Sequence, residues 1–299
     1  MSALKSGASE DALVRFLFDN LPVRGVLLQL GDEWRGLRSL HDYDAPVAAL
    51  LGQAIGAVTA IASTMKFDGM LTLQLSGKNA GLNMLIAQCD HLGHFRGMAG
   101  DRTPEASGDS FASLLGDGHL SMTIDARDAK DSYRGIVALH PQSLAATLTD
   151  YYRESAQLDA HFVLLSDDHQ VTVLMLQRMP DGGDMSEDDW RRLCLMSDTL
   201  TSAELATGAS LDIVHKLFAE DDVVAWEPTA VSFACRCSTE RAERALKTLG
   251  EADAMSLLRE RGGEVEIVCE FCNEKRVFDA VDVGRLFSTS SVPSDSALH

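Results

Sequence analysis

From Pro46 to Met65 the chain (PVAALLGQAIGAVTAIASTM) repeats apolar residues at helical spacing, with proline placed as a first helical residue. The stretch reads as a buried helix. Directly after it the period changes. Met70–Ser76 (MLTLQLS) alternates apolar and polar positions, Leu82–Cys89 follows, and the Gly-rich turn GKNAG between them marks a hairpin. Val23–Leu30 is a short apolar run of strand composition. Further strands are expected at Leu120–Asp125, Tyr133–Leu139, Phe162–Leu165 and Val171–Arg178, and a helix across Ser143–Ser155. Neighbouring strands joined by short polar turns predict an α+β fold, with a largely antiparallel sheet packed by helices over residues 1–180.

The pattern breaks at Asp181-Gly182-Gly183-Asp184, a boundary signal. Ser186-x-x-Asp189 then opens a new segment in the manner of a capping box, and Glu187-Asp188-Asp189 suits the positive end of a helix dipole. Trp190, Leu193, Cys194 and Leu200 fall on one helical face, and Leu211, Val214 and Phe218 form a second short stripe. Residues 181–229 hold 12 acidic and 3 basic side chains, a net −9, against 21 acidic and 14 basic in the first 180. Residues 181–229 are therefore expected to be an acidic amphipathic helical linker whose helices need something to pack against. The remainder, 230–299, reads as a small α+β module. It has helices at Thr239–Leu249 and Ala252–Arg261, strands at Glu264–Val268 and Val277–Ala280, and too few large apolar residues for a strong core.

Charge and composition narrow the classes. A formal net charge of −19 argues against nucleic acid and against an anionic membrane surface, both of which call for clustered Lys and Arg. No apolar run such as Val171–Leu176 approaches the roughly 20 residues that span a bilayer. The opening residues lack a continuous apolar stretch ending in a small-residue cleavage site, so a cytoplasmic location is expected. GKNAGLN lacks the Gly-Lys-Ser/Thr ending of a phosphate loop, and no Ser/His/Asp set or carboxylate pair supports an enzyme. His91 and His94 near Cys89 read as surface or loop histidines, and Cys89 and Cys194 as core or interface thiols.

The six cysteines are too few for a disulfide scaffold, and four of them cluster near the end. Cys235-Arg236-Cys237 is followed after 31 residues by Cys269-Glu270-Phe271-Cys272. Two close-spaced pairs of soft sulfur ligands at this separation point to one tetrahedral zinc ion on Cys235, Cys237, Cys269 and Cys272. Bound thiolates stay nucleophilic toward peroxide and hypochlorous acid. Each cysteine has a partner two or three positions away, so local disulfides Cys235–Cys237 and Cys269–Cys272 could form. The metal and its folding free energy would then be lost. Two alternatives stay open at this point, a static zinc ribbon used for binding and a thiol–disulfide oxidoreductase. The latter needs its Cys-x-x-Cys at a helix start, whereas Asn273-Glu274-Lys275-Arg276-Val277 resembles a turn into a strand.

VSFACRCSTERAERALKTLG and VCEFCNEKRVF resemble the signature of the redox-regulated 33-kilodalton heat-shock protein family, bacterial holdase chaperones. Arg24-Gly25, LLGQAIGA, MKFDGMLTLQLSG, GHLSMTID, Tyr133-Arg134-Gly135 and DYYRESAQL agree with it in order along most of the chain. The resemblance implies a reduced, zinc-bound monomer of low activity. Under oxidative stress and partial unfolding the two disulfides form, zinc leaves and the acidic segment loosens. The protein then dimerises and holds unfolding client proteins without ATP. The stripe of Trp190, Leu193, Leu200, Leu211, Val214 and Phe218 is the expected client surface.

Overall fold

The computed structural model describes residues 11–103, 108–127, 133–180, 185–201 and 209–288. The Asp181–Asp184 boundary signal lies outside these residues. The chain divides into two compact units, Met1–Ala234 and Cys235–His299.

The first unit is built on two sheets. One runs β10-β1-β2-β9-β8, from Val223–Ala225 (β10), Ala12–Phe18 (β1), Val23–Leu30 (β2), Val171–Arg178 (β9) and Ala160–Ser166 (β8), with Thr229–Ala230 (β11) also on β1. The other runs β12-β5-β4-β3-β6-β7, from Ser232–Phe233 (β12), His94–Ala99 (β5), Met84–Asp90 (β4), Gly69–Ser76 (β3), His119–Ala126 (β6) and Tyr133–Ala138 (β7). Every pairing is antiparallel except β12 on β5. The expected hairpin is β3–β4, with Leu73 opposite Ala87.

The long helix Ala45–Ser63 packs against strands of both sheets, and this explains its composition. The Asp44 side chain caps it, accepting from the Val47 N–H at 3.3 Å, and Pro46 sits in the first turn. With both sides covered it has no polar face, and, contrary to the expectation that every apolar run falls far short of a bilayer, its length and hydropathy alone would let it cross a membrane. Two glycines permit the close approach. A Cβ on Gly56 would lie 2.6 Å from Val173 Cγ2 on one sheet, and one on Gly97 of β5 would lie 2.8 Å from Ile55 on the helix.

In order, the helices of this unit are Asp32–Arg38 (α1), Ala45–Ser63 (α2), Phe111–Leu115 (α3), Leu144–Tyr151 (α4), Glu187–Ser197 (α5) and Ser210–Leu217 (α6) among the described residues. A π-turn, Tyr152–Ala156, extends α4 to the end expected for that helix. The middle segment closes the outer face of the first sheet. Leu193, Leu200, Ile213, Val214 and Phe218 are buried with Phe16, Phe18, Leu174 and Leu176. The other face of β9, through Val171, Val173 and Met175, belongs to the core around α2. Buried on both faces, β9 reads as a nearly continuous apolar run, broken by buried Thr172, and does not alternate.

Within the expected 181–229 segment, α5 and α6 fall in the first unit and pack on its sheet. The break between units falls at Ala234/Cys235 because β10, β11 and β12 pair with β1 and β5. The second unit holds Thr239–Leu249 (α7), Glu251–Glu260 (α8), the hairpin Glu264–Val268 (β13) with Lys275–Asp279 (β14), and Ala280–Ser288 (α9). Its buried apolar cluster is small, comprising Ala242, Leu246, Ala254, Leu258, Val265, Phe278, Val283 and Leu286.

Candidate metal centre

Two local structures present the four sulfurs. Cys235 and Cys237 lie in the short segment between β12 and α7, whose start is fixed by Ser238: its hydroxyl accepts from the Arg241 N–H at 3.3 Å. Cys269 and Cys272 occupy the turn joining β13 to β14. There the Cys269 N–H donates to the Glu274 carbonyl at 2.9 Å, and the Asn273 N–H donates to the Cys269 carbonyl at 2.8 Å. Asn273 takes the left-handed conformation that closes this turn, with φ 56°, one that asparagine tolerates better than most residues.

All four sulfurs lie within 4.8 Å of one another. Cys235 and Cys269 are 3.6 Å apart and Cys237 and Cys272 are 3.4 Å apart, too far for a disulfide, and all four are free thiols. Four thiolates at about 2.3 Å from a central zinc are separated by about 3.8 Å along the tetrahedron's edges. The sulfurs therefore already stand near the spacing zinc asks for. Four soft donors also leave no open coordination position, the arrangement of a closed site.

The electrostatics express the same crowding. Burial pushes the Cys235 thiol above its ordinary value, and burial does the same to Cys272. For Cys237, burial also acts upward, but donors from Cys272, Cys235 and Arg276 outweigh it and the thiol falls below its ordinary value. The donors around Cys237 thus favour its charged form more than burial opposes it. Arg276 of β14 contributes directly, its Nη1 lying 3.6 Å from Cys237 Sγ. No spacing rule points to that arginine; strand register brings it there.

The other candidates lie elsewhere. Cys89, buried at the end of β4, has its thiol pushed up to about 12, chiefly by burial. Cys194 on α5 is also raised to about 12 by burial, with the Asp198 charge second. His94 Nδ1 is 3.2 Å from Asp90 and His91 Nδ1 is 3.3 Å from Asp68, so each histidine has its own carboxylate. Among the described residues the four-cysteine group is the one set of His, Cys, Asp or Glu whose donor atoms could share an ion. Glu187, Asp188 and Asp189 occupy the first turn of α5, where Ser186 accepts from the Asp189 N–H at 3.0 Å. Of the apolar stripe, Leu193, Leu200, Val214 and Phe218 are buried and Trp190 packs beside them. Leu211 falls outside that cluster and Ile213 inside it, because α6 turns a neighbouring face to the sheet.

Residues 11–279 match the family described as Hsp33 protein. Among curated relatives, the 33 kDa chaperonin of Nitrosococcus oceani is 38% identical over 295 residues, covering 97% of this chain and 99% of its own. The 33 kDa chaperonin of Pseudomonas syringae pv. tomato is 37% identical over 291 residues, 96% of each chain. Among solved structures, the 33 kDa chaperonin (heat shock protein 33 homolog) of Thermotoga maritima superposes with a TM-score of 0.80 at 20% identity. The match covers 94% of this chain and 99% of that one, a likeness of fold. With its sequence matched nearly end to end and its cysteines gathered at one point, the chain belongs to the Hsp33 family.

Proposed function

We infer that this chain, a chaperone by family and not an enzyme, is switched on by oxidation of Cys235, Cys237, Cys269 and Cys272. The observation that carries the reading is the convergence of the four sulfurs within 4.8 Å inside a unit whose own apolar core is small. One zinc ion, when bound, would hold the four sulfurs as thiolates and tie the Cys235–Cys237 segment to the β13–β14 turn. On the scale of zinc-finger peptides such binding is worth about 10–16 kcal/mol, as much as the roughly 5–15 kcal/mol that stabilises a whole domain.

Two thiolates, one hydrogen peroxide and two protons give one disulfide and two water molecules. Bonds within the pairs, Cys235–Cys237 and Cys269–Cys272, consume all four ligand sulfurs and leave the segment and the turn unconnected. Bonds across them, between the sulfurs 3.6 and 3.4 Å apart, would keep the unit stapled. We therefore assign the disulfides to the local pairs, the choice that unfolds the second unit. Disorder starting at Cys235 reaches β12 two residues earlier, and the short pairings of β12, β11 and β10 are the next to fray.

Lifting of α5 and α6 would then bare Trp190, Leu193, Leu200, Val214 and Phe218, with Leu211 alongside, for unfolded client proteins. The freed apolar surface also favours a dimer of the oxidised form, with a monomer in the reduced form. The net charge of −19 keeps a protein with exposed apolar surface in solution. A resting state of free thiols suits the reducing cytoplasm.

The test follows metal and client together. Zinc release is monitored with a chromogenic chelator during peroxide treatment at mild heat, while aggregation of a thermally unfolding client is measured on the same samples. Metal loss, two local disulfides in the peptide map and suppressed aggregation should appear together. Holdase activity that rises while the metal stays bound would contradict the mechanism, and metal retained with no gain in activity would mark a static zinc ribbon.

A further inference from the structure

We propose that Arg276 is a positioning residue for the metal centre, gripping the Cys237 sulfur through an N–H···S hydrogen bond and countering the excess charge of the thiolate shell. The inference rests on the reading of the four cysteines as a zinc site and adds a fifth residue to it.

The strand register selects this side chain. In the β13–β14 ladder Arg276 stands opposite Ile267. It shares the inward side of the hairpin with Phe278, which is buried in the core of the second unit. Its neighbour Lys275 faces the other way and pairs with Glu266 at 3.3 Å. Of two adjacent cations, alternation sends one outward to a surface carboxylate and the other inward to the sulfurs. The stem of Arg276 is half-buried along the hairpin, and its Nη1 reaches Cys237 Sγ at 3.6 Å, within hydrogen-bonding range of a sulfur acceptor.

The charge balance gives the contact its purpose. Four thiolates around one divalent cation carry a net charge of −2, and this shell sits beside Glu270 and Glu274 in a strongly acidic chain. A guanidinium against one sulfur offsets part of that excess and fixes the direction of a lone pair, leaving the sulfur better oriented toward a cation. Partners of this kind behind metal ligands typically change metal affinity by about 10- to 100-fold, and a half-buried contact belongs near the lower figure. Cys237 thus has a cationic side chain holding it in place, and Arg276 helps set how readily the centre gives up its ion.

The experiment uses the full reduced chain loaded with zinc, and three variants. R276M keeps an unbranched stem and removes donor and charge; R276K restores a charge without the planar fork; R285L removes a cation that pairs with Asp282. In competition with a chromogenic chelator and no oxidant, R276M is expected to lose zinc about tenfold more readily. R276K should fall between R276M and the parent, and R285L should match the parent. In the cobalt-substituted protein, the sulfur-to-metal charge-transfer band of R276M should move to lower energy, because a thiolate without its donor holds its electrons less tightly. An unchanged band and unchanged zinc competition in R276M would overturn the proposal, and R276Q takes its place under the same criteria should R276M fail to fold with zinc present. A parent protein that binds no zinc would sink the underlying reading, a result distinct from a parent that binds zinc and an R276M that binds it equally well.

Discussion

Replacing Phe218 with alanine should open the chaperone without any oxidant. Phe218 follows the last turn of α6 and is 1% exposed. Its ring lies edge-on to Phe18 at a centroid distance of 4.9 Å and 5.7 Å from Phe16, so it pins α6 to the outer face of the first sheet. Truncating a buried phenylalanine costs about 3–5 kcal/mol, of which each lost ring pair contributes roughly 0.5–1.5 kcal/mol. The loss falls on a short, eight-residue helix that has little stability of its own. At about 1.4 kcal/mol per factor of ten, a loss of about 3 kcal/mol raises the detached population of α6 roughly a hundredfold. Hydrogen–deuterium exchange read by mass spectrometry, on reduced and metal-loaded protein, should show faster exchange across 210–217 and no change in α2 or β3. The same sample should suppress client aggregation before peroxide is added. Exchange at 210–217 equal to the parent would refute the packing argument. Fast exchange without any gain in holdase activity would refute the assignment of this stripe to clients.

Other consequences are open to direct measurement. Chelating the metal from reduced protein should abolish the helical circular dichroism of the second unit and leave the melting transition of the first in place; a second unit that stays folded without metal would show that its small core suffices. Gly56→Ala gains roughly 1 kcal/mol of helix propensity but drives a methyl group toward Val173 and Val171, and overpacking of about 1–3 kcal/mol should win and lower the melting temperature of the first unit. With thiols raised to about 12, Cys89 and Cys194 should alkylate about a thousandfold more slowly at pH 8 than an ordinary cysteine, and iodoacetamide on metal-free protein should label the C-terminal four first once the second unit has unfolded and their burial is lost. The same shift has a stability sign. Cys89 keeps its proton in the folded state above the pH at which the unfolded chain loses it, so its contribution is intact below about pH 9 and declines as pH rises toward 12.

Wherever one force dominates, the sequence is readable. Val23–Leu30, Thr239–Leu249 and Glu264–Val268 form where composition and punctuation place them, and the four cysteines announce themselves because coordination demands their residue type and their pairing. Ala12–Phe18 gives no such signal, since its residues are apolar except for exposed Arg15 and do not alternate, and its partners β10 and β11 lie some two hundred residues away. Ala280–Ser288 follows β14 without a break, and residues counted to a strand end include the helix start. The stripe expected at Leu211 is met by Ile213, because the phase of an eight-residue helix is set by the sheet beneath it. Arg276 is hidden for a related reason: its place at a sulfur comes from strand pairing, and four positions beyond Cys272 there is no motif to flag it.

The long apolar helix has an implication for how the protein is made. Ala45–Ser63 leaves the ribosome well before Val171–Arg178, the strand whose valines cover one of its sides. At about 5–20 residues per second, that interval is roughly 6–25 s. For that time the nascent chain displays a segment greasy enough to be mistaken for a membrane anchor. A molecule whose work is shielding others from aggregation passes through a stage of its own synthesis in which it requires the same service.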